Sequence, residues 1–287
     1  MSGEPGNPAP AANRTRADGG AGRERAYDRF VEGNLKRNYV AHFTHGMLGM
    51  TGFRLIFAPT FVPAYLHMLT GSPFMVGLGQ ALIQAGAIAS PIMGAAQIEH
   101  RRHVMPAAMT IGVLMRLQLL GLALAGWFLT GHVLLLATFL FLFLFGFFLG
   151  SQRVAFQVVL AKVIPIRLRG RLQAWRNLAG GAIAAGLSWW AGVYLIDPNV
   201  FGNGYATTFM VAFLLTSAGL AALWLFMREP SSPTVKTQMG MLDRIREFPL
   251  LLADRDYRNF LLSLVFATMG RIAIPFCIIH AGRQMEV

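Results

Sequence analysis

Residues 133–161 read VLLLATFLFLFLFGFFLGSQRVAFQVVLA and contain one charged side chain, Arg153. A transmembrane helix needs about 20 predominantly apolar residues, so this stretch is long enough to cross a lipid bilayer. It must be a helix, because lipid offers no partner for backbone polar groups. Similar apolar runs on both sides predict an all-α polytopic membrane protein, with further spans at 43–68, 74–97, 104–129, 173–196, 205–227 and 260–282.

The composition supports a membrane protein and argues against nucleic-acid binding. Of the 287 residues, 55% are hydrophobic and only 13% are charged, about half the charge of an average soluble domain. The net charge of +12 is spread over the connections between spans rather than gathered on one module, so we expect no nucleic-acid partner. The expected partner of that charge is the lipid bilayer and its anionic inner leaflet. The single cysteine, Cys277, excludes an internal disulfide and a cysteine-based metal site.

The basic residues lie on one side of the predicted spans. Twenty of the 25 Lys and Arg residues occur in the N-terminal arm and in the second, fourth and sixth connections, counting their flanks. The first, third and fifth connections contain none. Because Lys and Arg concentrate on the cytoplasmic side, this pattern predicts a multi-pass protein of the cell (inner) membrane with a cytoplasmic N-terminus.

The chain divides into four predicted regions. Residues 1–41 form a cytoplasmic, largely disordered basic arm, which lacks the apolar core of a signal peptide. Residues 42–227 form a six-span N-terminal bundle, and residues 260–287 form a seventh span and the C-terminal end. Between them, residues 228–259 form a cytoplasmic linker that contains an amphipathic helix, indicated by apolar residues at near-helical spacing: Leu242, Ile245, Phe248 and Leu252.

Small residues indicate an internal repeat. The second and fifth spans are both dense in Gly, Ala and Ser, and the first and fourth spans each hold one arginine, Arg54 and Arg153. Small residues let membrane helices approach closely, although they are frequent in any membrane helix. The pattern favours two three-span repeats of opposite orientation, an arrangement common in secondary transporters.

The segment AFQVVLAKVIPIRLRGRLQAWRNLAGG, residues 155–181, resembles the major facilitator superfamily. It is similar to the end of span four, the basic inner turn and the start of span five in many members. The entry to the seventh span, DRDYRNFLL at residues 254–262, also resembles that family. The resemblance covers nearly everything after Tyr39.

The resemblance implies a six-helix half bundle made of two inverted three-helix repeats, followed by one further transmembrane helix. A full member has two six-span halves, so the chain is expected to be truncated, with the C-terminal half of the transporter as a missing partner. The family's motif between spans two and three is matched by Gly94, Arg101 and Arg102, the inner-gate candidates, whereas Ile98 and Glu99 depart from it. The basic turn between spans four and five contributes three more candidates, Arg169, Gly170 and Arg171.

Arginines inside apolar runs are the strongest site candidates. Arg54, Arg116, Arg153 and Arg271 lie within predicted spans that contain no Asp or Glu, and a buried arginine costs several kcal/mol or more unless it is paired or hydrated. The resemblance implies that spans one, four and seven line a central cavity. The predicted substrate-cavity residues are therefore Arg54, Arg153, Arg271, Gln157, Gln80 and Gln84.

Two alternatives remain open for these residues. The arginines, Arg116 and Arg153 above all, can instead bond backbone carbonyls or extend to the membrane interface. The glutamines can form interhelical hydrogen bonds, which is the preferred interpretation for them. His42 and His45, at the predicted cytoplasmic end of span one, suit a proton relay or, preferably, interfacial hydration.

The predicted function is a secondary active or facilitative transporter that moves a small solute by alternating access, with an anionic solute as one expectation. We find no nucleotide motif and no catalytic constellation, so we expect neither an enzyme nor a cofactor. We expect no metal site, since the candidate group at 99–103 contains two arginines. The alternative is a non-transporting membrane fragment, or a sensor or scaffold protein.

Overall fold

A computed structural model describes residues 11–57, 61–232, 246, 249 and 251–269. The regular elements among them are all helical. The α-helices are α1 (Ala11–Gly33), α2 (Leu35–Phe57), α3 (Phe61–Thr70), α4 (Pro73–Ala89), α5 (Pro91–Ile98), α6 (Met105–Phe128), α7 (Gly131–Val163), α8 (Ile166–Ala191), α9 (Gly204–Phe226) and α10 (Arg255–Met269).

These helices form six segments that are long and apolar enough to cross a membrane, which confirms the predicted all-α polytopic membrane fold. Span one combines α2 and α3, span two combines α4 and α5, and span five continues from α8 through a π-helical turn. Spans three, four and six are α6, α7 and α9. The quoted stretch, in α7, is the most apolar of the six, with a mean hydropathy of 2.7.

Two span boundaries differ from the prediction. Span one begins at Leu35 and span five at Ile166, both earlier than expected. Pro165 precedes α8 in an extended conformation, and its fixed φ ends one helix and allows the next to start at once. Arg169, Gly170 and Arg171, predicted in a turn, therefore lie in the first turns of α8.

The N-terminal arm also differs from the prediction of a largely disordered segment, because residues 11–33 form helix α1. Alanine, arginine and glutamate in this segment have high helix propensity. The linker's amphipathic helix and the second half of the seventh span fall largely outside the described residues. The first half of that span belongs to α10, which has no buried side chain among the described residues.

The packing of the six spans is symmetric under exchange of the first three spans with the last three. Span one packs on spans five and six, and span four packs correspondingly on spans two and three. Spans three and six pack on each other. The predicted repeat of two three-span units requires this arrangement. Each unit crosses the membrane three times, so the second unit starts on the side opposite to the first and has the inverted orientation.

Glycines bring spans two and four into backbone contact. A β-carbon at Gly86 would meet the carbonyl oxygen of Phe143, and one at Gly146 would meet the carbonyl oxygen of Ile83. A β-carbon at Gly150 would lie 2.5 Å from the carbonyl oxygen of Ala87. The small residues of span two therefore allow the close approach that the sequence indicated.

Candidate functional site

The main contacts between the spans run in the order five, one, six, three, four and two, so spans two and five stand at the two ends of the series. Spans three and six lie at its centre, and spans one and four each link the centre to one end. Polar side chains that are wholly or partly exposed occur on spans one, four and five. We call this surface the concave face and define it by Arg54, Arg153, Gln157, Arg176 and Asn177.

Helix geometry places Arg153 and Gln157 on the side of α7 that faces span two. At about 100° per residue, they lie about 20° to either side of Gly146, which contacts α4, and about 60–120° away from Phe145 and Phe156, which contact α2. A different face of α7 carries the exposed apolar residues Val133, Leu136 and Leu140. Both polar residues are exposed and make no hydrogen bond to another described residue.

Arg54 is tied to span five. Its Nη1 donates to the carbonyl oxygen of Asn177 at 2.8 Å, and its Nη2 donates to Asn177 Oδ1 at 3.3 Å. The guanidinium lies over Gly181, where a β-carbon would be 2.5 Å from Nη1. Two of its nitrogens are thus oriented by α8, and its remaining N–H groups stay available to a ligand.

A short hydrogen-bonded chain connects Arg54 to a second arginine. Gln173 Nε2 donates to Asn177 Oδ1 at 3.1 Å, and Arg176 Nη1 donates to Gln173 Oε1 at 3.3 Å. Arg176 reaches across to α2 and packs on Gly46, whose missing side chain makes room for it. The concave face therefore has three arginines, Arg54, Arg153 and Arg176, and no described carboxylate beside them.

The remaining predicted cavity residues are less well placed. Gln84 is exposed and Gln80 is partly buried on α4, and neither makes a hydrogen bond to a described residue. The preferred interpretation of interhelical bonding is therefore not realised within the part of the chain that the structure describes. Arg271 lies outside the described residues, so its predicted role stays a prediction.

A buried polar cluster lies behind the concave face and consists of His42, His45, Arg116 and Gln152. Arg116 Nε donates to the carbonyl oxygen of Thr216 at 2.8 Å, and Nη1 donates to that of Gly112 at 2.7 Å. The alternative that Arg116 bonds backbone carbonyls is thereby confirmed. His42 and His45 are buried because span one starts earlier than predicted, so the expectation of an interfacial position was wrong.

A second polar centre joins the ends of several helices, and we call it the Glu229 clasp. Glu229 and Lys162 form an ion pair at 2.5 Å, with side chains that are only 6% and 9% exposed. The Glu229 carboxylate also accepts from the backbone N–H groups of Val104 and Met105, at 2.6 and 2.9 Å. It thus satisfies two donors at the start of α6, where a negative charge is favoured.

Further hydrogen bonds extend the clasp. Lys162 Nζ donates to the carbonyl oxygen of Arg102 at 2.7 Å, and the Tyr27 hydroxyl donates to the carbonyl oxygen of Lys162 at 2.7 Å. Burial raises the pKa of Tyr27, which keeps its hydroxyl protonated as a donor. The side-chain amide of Asn38 donates from Nδ2 to the carbonyl oxygen of Arg228 at 3.0 Å, and its Oδ1 accepts from the Arg228 backbone N–H at 2.8 Å. The clasp therefore connects α1, α2, the connection between spans two and three, the end of span four and the segment after span six.

The inner-gate candidates divide into one packing residue and two exposed ones. Gly94 is buried against α7, where its β-carbon would lie 2.9 Å from Ser151 Cα. Arg101 is exposed in the connection after α5, and its Nε donates to the carbonyl oxygen of Gln97 in the last turn of that helix. The Arg102 side chain is exposed, and its carbonyl oxygen belongs to the clasp.

Sequence reasoning missed Glu229, Lys162, Arg176, Asn177 and Gln173. A signal existed for the first two, since Glu229 is the third residue after span six and Lys162 lies in the last turn of span four. No group of three or more His, Cys, Asp or Glu residues within the described ranges could hold a metal ion. Comparison with known proteins finds no matching family model and no matching curated protein.

Proposed function

We propose that this protein is a secondary transporter of the major facilitator type, which moves a small anionic solute across the membrane by alternating access. The observation that carries the proposal is the packing of six spans as two equivalent triplets, with arginines that are at least partly exposed on spans one, four and five. Transport by this mechanism needs a polar site near the middle of the membrane that a second bundle can cover. The concave face offers such a polar surface, and the resemblance of residues 155–181 to the major facilitator superfamily favours this class of transporter.

The charge of the concave face favours an anionic solute. Guanidinium groups bind carboxylate and phosphate in a bidentate manner. Arg54 is already oriented by Asn177, and Arg153 has no described partner. Between residues 35 and 226 the sequence has only two carboxylates, Glu99 and Asp197, and both lie in connections. A negatively charged substrate would compensate these arginines during binding.

The substrate class is tested by binding to the purified protein in lipid nanodiscs. A panel of small mono- and dicarboxylates and inorganic phosphate is compared with neutral solutes of the same size. We expect at least one anion to bind, and Arg54→Lys to weaken it about tenfold or more, because lysine retains the charge but loses the fork. Arg167→Gln is the matched control, since Arg167 is exposed outside the concave face.

Equal binding of anions and neutral solutes would contradict the anionic substrate, as would unchanged affinity in Arg54→Lys. The transport class is tested separately by counterflow of the bound anion, in vesicles from cells that express the entire reading frame. Saturable exchange is expected. Binding without exchange would favour the sensor or scaffold alternative.

The proposed topology has a cytoplasmic N-terminus and an outside loop between spans five and six. Reporter domains that are active only in the cytoplasm are expected to give a signal when fused before α1. The same reporters inserted in the loop at residues 197–203 should be silent, because that loop carries no Lys or Arg. A reversed pattern would contradict the topology.

A further inference from the structure

Arg116 is a buried cation with an unsatisfied donor. It lies about 16 Å along α6 from the first residue of that helix, at 1.5 Å per residue, and is 2% exposed. Two of its nitrogens bond carbonyl oxygens, but Nη2 has no hydrogen-bond partner among the described residues. The ring of Phe53 lies 5.5 Å from the guanidinium carbon and offsets only part of the cost of burying this charge.

No described carboxylate forms an ion pair with Arg116. The two acids between residues 35 and 226, Glu99 and Asp197, lie in connections between helices. A buried charge without a partner is strongly destabilising, and a small, diffusible anion is a countercharge that can enter a buried site.

A space beside Gly49 is suited to such an ion. Beside Gly49 there is a methyl-sized gap, since an added β-carbon would make only ordinary contacts, at 3.7 Å with His45 Nε2 and 4.0 Å with Arg116 Nη2. Both nitrogens lack a hydrogen-bond partner among the described residues. The His45 ring is held by stacking on Phe156, at 4.7 Å between ring centres and an angle of 20°. Two donors therefore border the same unfilled volume.

We propose that this space binds a small monovalent anion, chloride under cellular conditions, between Arg116 Nη2 and His45 Nε2. The tautomer protonated at Nε2 donates one hydrogen bond, and the guanidinium donates the other and supplies the countercharge. Arg176, which packs on Gly46 beside His45, adds positive charge near the site. The inference does not rest on the transport proposal, because Arg116 and His45 are not part of the concave face.

The test measures the thermal unfolding midpoint of the purified chain in lipid nanodiscs, with sodium chloride exchanged for sodium gluconate at constant ionic strength. A bound anion stabilises the folded state by mass action, so the midpoint should rise by several degrees and saturate with chloride. Gly49→Ala should fold normally, since its methyl makes ordinary contacts of 3.7 and 4.0 Å. It occupies the proposed volume and should abolish the chloride response.

Gly186→Ala is the matched control, because its added methyl meets nothing within 4 Å, and it should retain the full response. His45→Phe preserves the stacked ring but removes Nε2, and should reduce the apparent chloride affinity about tenfold. Equal midpoints in chloride and gluconate for the unmodified protein would overturn the proposal. An undiminished response in both Gly49→Ala and His45→Phe would overturn it as well.

Discussion

Gly146→Ala is expected to lower the thermal unfolding midpoint of the protein by about 6–12 °C and to reduce its yield in the membrane. The added β-carbon would meet the backbone carbonyl of Ile83 on the facing helix, and a backbone atom cannot move aside as a flexible side chain can. Forcing extra volume into a well-packed core costs about 3 kcal/mol at the upper end of the usual range. The midpoint is measured in detergent and in nanodiscs.

The matched control for this prediction is again Gly186→Ala, on α8. That substitution adds the same methyl group in open space and removes a helical glycine, so it should be neutral or stabilise by about 0.5–1 kcal/mol. If Gly146→Ala and Gly186→Ala unfolded at the same temperature, the close crossing of spans two and four would be contradicted.

Glu229→Gln is expected to destabilise the protein by about 3 kcal/mol, because it leaves Lys162 buried without its countercharge. It also weakens the acceptor of the Val104 and Met105 N–H groups at the start of α6. Both donors belong to buried residues, so water cannot replace the carboxylate as their acceptor. The free energy of unfolding is measured by denaturant titration and linear extrapolation to zero denaturant.

The double variant Lys162→Met with Glu229→Gln separates the ion pair from the helix cap. Removing both charges avoids the unpaired lysine, so the double variant should be more stable than Glu229→Gln alone. The loss that remains measures the cap and should be about 1 kcal/mol. If the effects of Lys162→Met alone and Glu229→Gln alone added up to that of the double variant, the ion pair would contribute nothing to stability.

The membrane fold could be predicted from the sequence because it depends on local properties. The length and apolar content of residues 133–161, and of the five other confirmed runs, decide that each segment is a helix that can cross a bilayer. The small residues of span two, through Gly86, likewise indicated a close helix crossing. These conclusions need no knowledge of which helix lies beside which.

The ends of helices were predicted less well because polar helical residues resemble turn residues in sequence. Residues 166–172 contain three arginines, yet they form the start of α8, and the pattern of charge alone suggested a turn. The same error placed His42 and His45 at an interface. Once span one extends back to Leu35, both rings are enclosed by neighbouring helices.

The partners of each polar group were decided only by the tertiary structure. Glu229 meets Lys162 and the start of α6, and Arg54 meets Asn177, across 67, 125 and 123 positions of chain. Nothing local in the sequence encodes such distant contacts. The sequence by itself determined which segments leave water, since transfer into lipid depends on each segment's own composition. The packing of those segments against one another determined which arginines are enclosed, which remain open to a ligand, and where the buried ion pair of Lys162 and Glu229 forms.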